Sequence, residues 1–224
     1  MSTYTPTART KVRRLSKRAI YDKSKVHEIL DEAILCHVGF VQDGQPFVIP
    51  TLYGRSGETI YMHGSGASRM LKTLAEGVDV CVTVTLMDAY VLARSAFHHS
   101  MNYRSVAILG RARLVADAEE KLQALRVITD HIVPHRWDEV REPNELEMRQ
   151  TVVLALPLEE VSAKVRVGPP VDDEEDYSRP VWGGIVPIHT RLGEPVADGR
   201  VLPGVPEVEL TRFAQRGRKA GERS

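Results

Sequence analysis

The sequence predicts a mainly β domain with peripheral helices, a small antiparallel barrel of about six strands. Two observations carry that expectation. Residues 78–86 alternate cleanly, with Val78, Val80, Val82, Val84 and Leu86 on one side and Asp79, Cys81, Thr83 and Thr85 on the other. Strand-like runs also follow one another at short spacing and are divided by turn signals such as Asp43-Gly44. At 224 residues the chain can form one large or two small domains with a substantial core.

Residues 1–20 lack periodicity and read as a basic flexible arm. Ser24 can cap a short helix that carries Val26, Ile29, Leu30 and Ala33 on one face. Strands are expected at 34–41, 45–53 and 59–63, and Pro46 and Pro50 make the second of these an edge or bulged strand. Ser68 is placed to cap a helix with Met70, Leu71 and Leu74 inward, and Gly77 stops it. Strands at 78–86, 89–97 and 103–115 complete the set. A helix starts at Asp117 with Glu120 at capping-box spacing, buries Leu122, Leu125, Ile128 and Ile132, and ends before Pro134. A further helical turn at 143–149 precedes closing strands at 151–156 and 161–167. The Pro- and acid-rich stretch 168–180 is a connector, and residues 182–188 form a short apolar island before a Gly- and Pro-rich end. The expected organisation is an arm (1–20), a barrel domain (21–167) and a C-terminal extension (168–224).

Thirty basic and thirty acidic residues cancel, so overall charge points to neither nucleic acid nor an acidic partner. Arg9, Lys11, Arg13, Arg14, Lys17 and Arg18 make the N-terminal arm basic, and Arg212, Arg216, Arg218, Lys219 and Arg223 do the same for the tail. Neither end has the interleaved aromatics of a stacking platform for single strands. Cys36 and Cys81 lie in apolar runs and read as buried free thiols. No apolar segment suits a secretory signal or a membrane span, so the expected setting is soluble and cytoplasmic.

Two polar clusters stand out. Gly64-Ser65-Gly66-Ala67-Ser68 leads into a helix whose first turns carry Arg69 and Lys72, an Arg fork plus a Lys point charge suited to a terminal phosphomonoester. The spacing is not that of a Walker loop. The second cluster, Ser100 to Ser105, sits at the start of a strongly apolar strand. Adjacent His98 and His99 point to opposite faces of a strand and cannot share a metal, so no metal site is expected. No nucleophile elbow or Cys-His dyad is legible.

In order and spacing these segments resemble the pyridoxamine 5′-phosphate oxidase-like, FMN-binding split-barrel proteins, in the branch that includes the nitroimidazole-resistance proteins. The resemblance runs from Val26 to Ile188. It rests on Gly44-Gln45-Pro46-Phe47-Val48-Ile49-Pro50, Ile60-Tyr61-Met62-His63-Gly64-Ser65, Arg69 with Lys72, Ala93-Arg94-Ser95, His98 to Val106, Ser162-Ala163-Lys164 and Trp182-Gly183-Gly184. It implies a six-stranded antiparallel FMN-binding split β-barrel that pairs as a homodimer, with flavin clefts at the subunit interface. It implies that Arg69 and Lys72 hold the flavin phosphate with Ser65 and Ser68, that Thr51 and His63 line the ring and ribityl chain, that Tyr103, Arg104 and Ser105 complete the site, and that Trp182 lies near the ring. Arg200-Val201-Leu202-Pro203 only loosely echoes the oxidase's vitamin-phosphate motif, so that substrate is not carried over. A neighbouring branch uses a deazaflavin in a similar barrel.

The leading expectation is thus an FMN-dependent oxidoreductase acting on a small organic substrate, with His63 as donor or proton-relay group. The alternative is a flavin or haem carrier without turnover. The expected partners are a second copy of the chain and a small molecule, with neither nucleic acid nor membrane.

Overall fold

The computed structural model describes residues 2–215. Two antiparallel sheets pack face to face without closing into one ring. In chain order the elements are β1 (Ala19–Ile20), α1 (Lys23–Glu32), β2 (Leu35–Gln42), β3 (Gln45–Leu52), β4 (Gly54–Ser56), β5 (Thr59–Ser65), α2 (Arg69–Ala75), β6 (Asp79–Leu92) and β7 (Ser100–Arg111). They continue with β8 (Arg113–Leu114), α3 (Ala118–Ile132), α4 (Glu145–Gln150), β9 (Thr151–Pro157), β10 (Glu160–Arg166) and β11 (Gly184–Pro187). The larger sheet runs β1-β10-β7-β6-β2-β3, with β11 added beside β6, and the smaller runs β4-β5-β9-β8. The chain changes sheet at Ala112, a buried residue between β7 and β8. The mainly β, antiparallel expectation holds.

Burial explains the arrangement. Val80, Val82 and Val84 on β6 meet Val106 and Ile108 on β7, Ile60 and Met62 on β5, and Leu154 and Leu156 on β9 in one core. α1 closes the core with Val26, Ile29 and Leu30. Each such side chain, fully removed from water, contributes roughly 1.5–3 kcal/mol. A second, smaller core lies under α3, where Leu125 and Ala124 pack on Val153, Ala155 and Trp137. The outward row of the larger sheet, which includes His37, Cys81, Thr83, Thr85, Tyr103 and Ser105, lies partly or fully open.

Several elements differ from expectation. The strands expected at 78–86 and 89–97 are one 14-residue strand with a bulge at Asp88. The extra residue breaks the alternation, which is why one strand reads as two. Asp22, not Ser24, caps α1 by accepting from the Lys25 backbone N–H, and Ser24 donates to the Asp22 carboxylate instead. β3 is an edge strand, as its two prolines require, and the Asp43-Gly44 turn has φ of 51° and 76°.

The N-terminal stretch read as a flexible arm is packed down. Tyr4 is 3% exposed and donates to the Glu58 carboxylate at 3.0 Å. Thr3 bridges Asp22, Thr7 and Arg9 bond Glu160, and β1 pairs with β10. Single anchoring side chains do this work, and they leave no period to read. The connector after β10 is tied down as well, since the Asp172 side chain is buried against the Arg94 backbone N–H at 2.9 Å and the Arg94 guanidinium at 3.1 Å. Of the basic tail, Arg212 pairs with Glu139, while Arg216, Arg218, Lys219 and Arg223 lie outside the described residues.

Candidate functional site

β5 feeds α2 through the turn Gly64-Ser65-Gly66-Ala67-Ser68, and the turn is fixed from several sides. A Cβ on Gly64 would lie 3.0 Å from Leu71 Cδ1, so the small residue lets α2 pack close. The Gly66 N–H donates to Gln150 O at 3.0 Å, which ties the turn to the end of α4. Ser65 Oγ accepts from the Ala67 N–H, and Ser68 Oγ caps α2 by accepting from the Leu71 N–H. α2 has only seven residues, so its dipole is weak and any anion held here rests mainly on side chains.

Arg69 and Lys72 stand exposed on successive turns of α2. Neither has an ion-pair partner among the described residues. By contrast Arg55, Arg94, Arg104, Arg113 and Arg141 are all matched with carboxylates. The Arg69 guanidinium lies 4.1 Å from the centroid of the Phe47 ring, and Phe47 in turn stacks on Phe40 at 5.6 Å. An aromatic face holds a guanidinium without neutralising it. The turn thus presents two uncompensated cations and two hydroxyls, one of the cations already oriented.

The other expected site residues fall in different places. Thr51 lies on β3 in the same row as Phe47, and its carbonyl accepts from Cys36 Sγ at 3.5 Å. Burial pushes that thiol's pKa up to about 12. Tyr103 and Ser105 lie on the outward row of β7, opposite Met87 and Thr85. Arg104, between them, points the other way. It is bound to Asp88 at the bulge and to Glu32 on α1, and those carboxylates raise its pKa. Strand alternation therefore separates Arg104 from the wall that Tyr103 and Ser105 share. Trp182 is 63% exposed and lies over Gly184, at the corner where β11 joins β6. Within one chain these groups do not converge.

His63 is paired with Val153 across the β5–β9 ladder, on the face of the small sheet turned to α3. Its Nδ1 is buried without a hydrogen-bond partner, and burial lowers its pKa below the ordinary 6.5. His63 is therefore neutral at pH 7. Because the unfolded chain binds the proton more readily, His63 contributes stability above about pH 6.5 that is lost as pH falls through its lowered folded value. A His63→Gln variant should show a flatter loss of urea stability below pH 6.5 than the parent; an unchanged slope would contradict the assignment.

Phe47 lies in the Gly44–Pro50 segment with nothing in its pattern to mark its contact with Arg69, and the Asn102–Arg166 hydrogen bond leaves no trace in the sequence. The signal legible at Arg69 is the small polar turn followed by two cations at helical spacing. Among the described residues no helix is long and apolar enough to cross a membrane, and among them no three His, Cys, Asp or Glu side chains converge as metal ligands.

A family model described as pyridoxamine 5′-phosphate oxidase matches residues 22–165. Among solved structures, the flavocytochrome Anf3 from Azotobacter vinelandii is 43% identical, covers 95% of this chain and 98% of its own, and superposes with a TM-score of 0.87. The FAD and heme binding protein from Mycobacterium smegmatis is 35% identical over 85% of this chain and 94% of its own, with a TM-score of 0.82. A protein from Bacteroides thetaiotaomicron named for 5-nitroimidazole antibiotic resistance is 26% identical over 66% of this chain and 86% of its own, with a TM-score of 0.56. At 95% coverage the first relative shares the C-terminal segment that lies beyond the family model. No curated protein matches the chain.

Proposed function

The chain belongs to the pyridoxamine 5′-phosphate oxidase family, and from that premise we propose that it is a flavin-binding redox protein whose flavin phosphate sits on Arg69 and Lys72. The observation that carries this reading is the uncompensated Arg69–Lys72 pair above the Ser65–Ser68 turn, with Arg69 held on Phe47. A phosphomonoester offers the oxygens that an Arg fork and a Lys ammonium bind together. FMN carries that group at its end, and FAD carries the same phosphate within a pyrophosphate. A deazaflavin would be held by the same cations.

When bound, the flavin supplies the electron or hydride transfer. The chain's own part is to grip the phosphate through Arg69 and Lys72, to offer the Ser65 and Ser68 hydroxyls beside it, and to keep a neutral imidazole at His63. The open outward row of the larger sheet, with small side chains between Tyr103 and His37, suits a second copy of the chain. Pairing there would bring Tyr103, Ser105 and Trp182 toward a partner's flavin. In this reading the activity is an oxidoreductase step on a small organic molecule.

A second cofactor is favoured by a separate observation. Of the relatives described above, one is named a flavocytochrome and another a FAD and heme binding protein. A haem iron takes a neutral imidazole, and burial, which lowers the His63 pKa, keeps His63 neutral. His63 would then hold the iron rather than relay a proton.

Equilibrium titration of the full chain with FMN and with riboflavin, read by flavin fluorescence, tests the phosphate reading. FMN should bind far more tightly than riboflavin. Phe47→Leu should reduce that preference several-fold by freeing Arg69, since an exposed cation–π contact is worth about 0.5–1 kcal/mol. Equal affinity for FMN and riboflavin in the parent would refute the proposal.

A further inference from the structure

Between Thr3 and Tyr21 the chain carries six cations and no carboxylate, and the fold fixes that stretch against the larger sheet. The Thr10 hydroxyl accepts from the Thr7 N–H at 2.8 Å, and the Tyr21 hydroxyl accepts from the Val12 N–H at 2.9 Å. The Arg18 N–H donates to Leu15 O at 2.9 Å and closes a single 3-10 turn, Ser16–Arg18. β1 follows at once, with Ala19 opposite Lys164 of β10. Arg9 is paired with Glu160. Lys11, Arg13, Arg14 and Lys17 are exposed and Arg18 is half-buried. None of these five has an ion pair among the described residues, nor has Lys164 beside them. Elsewhere on the surface arginines are matched: Arg111 by Asp79, Arg126 by Asp138, Arg136 by Glu139, Arg141 by Glu147 and Arg149 by Glu145.

Two aliphatic side chains accompany the cations. Leu15 lies between Arg14 and Lys17, is 40% exposed and holds a φ of 56°, a left-handed conformation that leucine rarely adopts. The anchored flanks, not its own preference, therefore shape the turn. Because β1 and β10 run antiparallel, the end of β10 lies beside the start of β1. Val167, just past that end, is 77% exposed.

We infer that this edge of the larger sheet docks on an anionic lipid bilayer. A cluster of four or more Lys and Arg is drawn to acidic headgroups, and an aliphatic side chain among them enters the boundary with the acyl chains. No spanning helix is needed for such contact. The other polyanions fit less well. Single-stranded nucleic acid asks for aromatic faces, yet Tyr4 is buried against Glu58 and the Tyr21 hydroxyl is held by Val12. A duplex would use the cations but not Leu15. A protein partner needs a fuller apolar or aromatic core than one leucine and one valine supply. The surface is independent of Arg69 and Lys72 and of any flavin they hold.

Cosedimentation of the full chain with vesicles tests the inference. The chain should bind phosphatidylcholine vesicles that contain about one third phosphatidylglycerol, and should not bind pure phosphatidylcholine. Binding should fall steeply as salt rises from about 0.1 M, where charge acts over about 10 Å, to about 1 M, where it acts over about 3 Å. The triple variant Arg13→Gln/Arg14→Gln/Lys17→Gln should lose about a hundredfold, since each cation at an anionic surface contributes about fivefold. Arg126→Gln/Arg136→Gln/Arg149→Gln, with the same change in net charge, should stay within about twofold of the parent. Leu15→Gly, which the left-handed backbone accepts without strain, should weaken binding several-fold and leave its salt dependence intact. Circular dichroism verifies each fold, and if the triple variant misfolds, the parent's response to lipid and salt decides together with Leu15→Gly. Equal binding to both vesicles, binding to neither, or an equal loss in the charge-matched control would overturn the inference. So would retention of duplex DNA by the parent at the same salt without any vesicle binding.

Discussion

Replacing Arg69 and Lys72 together by alanine is expected to remove the preference for phosphorylated flavin while the chain still folds. Both side chains are exposed, so their loss opens no cavity and leaves no buried partner unpaired. The helix that carries them stays capped by Ser68 and packed through Met70, Leu71 and Leu74. Charge-assisted hydrogen bonds contribute about 1.5–3 kcal/mol each, reduced here by solvent screening, so the pair is worth roughly 2–4 kcal/mol toward a phosphate. FMN affinity should therefore fall by about thirtyfold to several-hundredfold, with riboflavin affinity unchanged. Flavin fluorescence measures both, and circular dichroism verifies the fold. An equal loss for the two flavins would mean that the cations shape the pocket rather than bind the phosphate.

Gly54→Ala should produce the largest loss of stability. A Cβ at Gly54 would lie 2.8 Å from Ile128 Cα and 2.9 Å from both Ile128 N and Val127 C, all backbone atoms of α3. No rotamer relieves a collision with helix backbone, so β4 and α3 must separate. Overpacking of this kind costs about 3 kcal/mol, the upper end of what inserted methyl groups usually cost. α3 also covers the face of β5 that carries Tyr61 and His63, so the same substitution should loosen the His63 setting. Urea denaturation against Gly193→Ala, where an added Cβ meets nothing within 4 Å, isolates the effect. Matching midpoints for the two variants would show that β4 and α3 are not in contact in solution.

How much of this was legible depended on whether the information was periodic. Alternation along residues 78–86 identified the core face of β6, and Pro46 and Pro50 marked β3 as an edge. Ser68, Arg69 and Lys72 could be read as one unit because a cap and two cations at helical spacing are local in sequence. Arg104 could not be assigned from sequence, because its partners Glu32 and Asp88 lie 72 and 16 residues away and a bulge brings one of them in. The packing of Tyr4 and the burial of Asp172 were hidden for the same reason, since each depends on one long-range contact in a segment without a period. The unpaired state of Arg13, Arg14 and Lys17 showed no signal at all, because the lack of a counterion can be seen only once the neighbours are known.

The N-terminal and C-terminal segments also change the view of the domain plan. The first was expected to be a flexible arm and the second an extension whose Trp182 segment packs near the cofactor cleft; β1 extends the larger sheet beside β10 and β11 extends it beside β6. β11 occupies the stretch of β6 that β2 leaves unpaired, Ala89 to Leu92. The extension is thus part of the sheet that carries Tyr103 and Ser105, and it sets the position of Trp182.

The most direct test of the central claim is the absorption spectrum of the full chain as purified, followed by release and chromatography of whatever it carries. The proposed function predicts flavin bands near stoichiometric amounts, joined by a Soret band if haem is the second cofactor. A colourless protein that also fails to take up FMN or FAD on titration would contradict it.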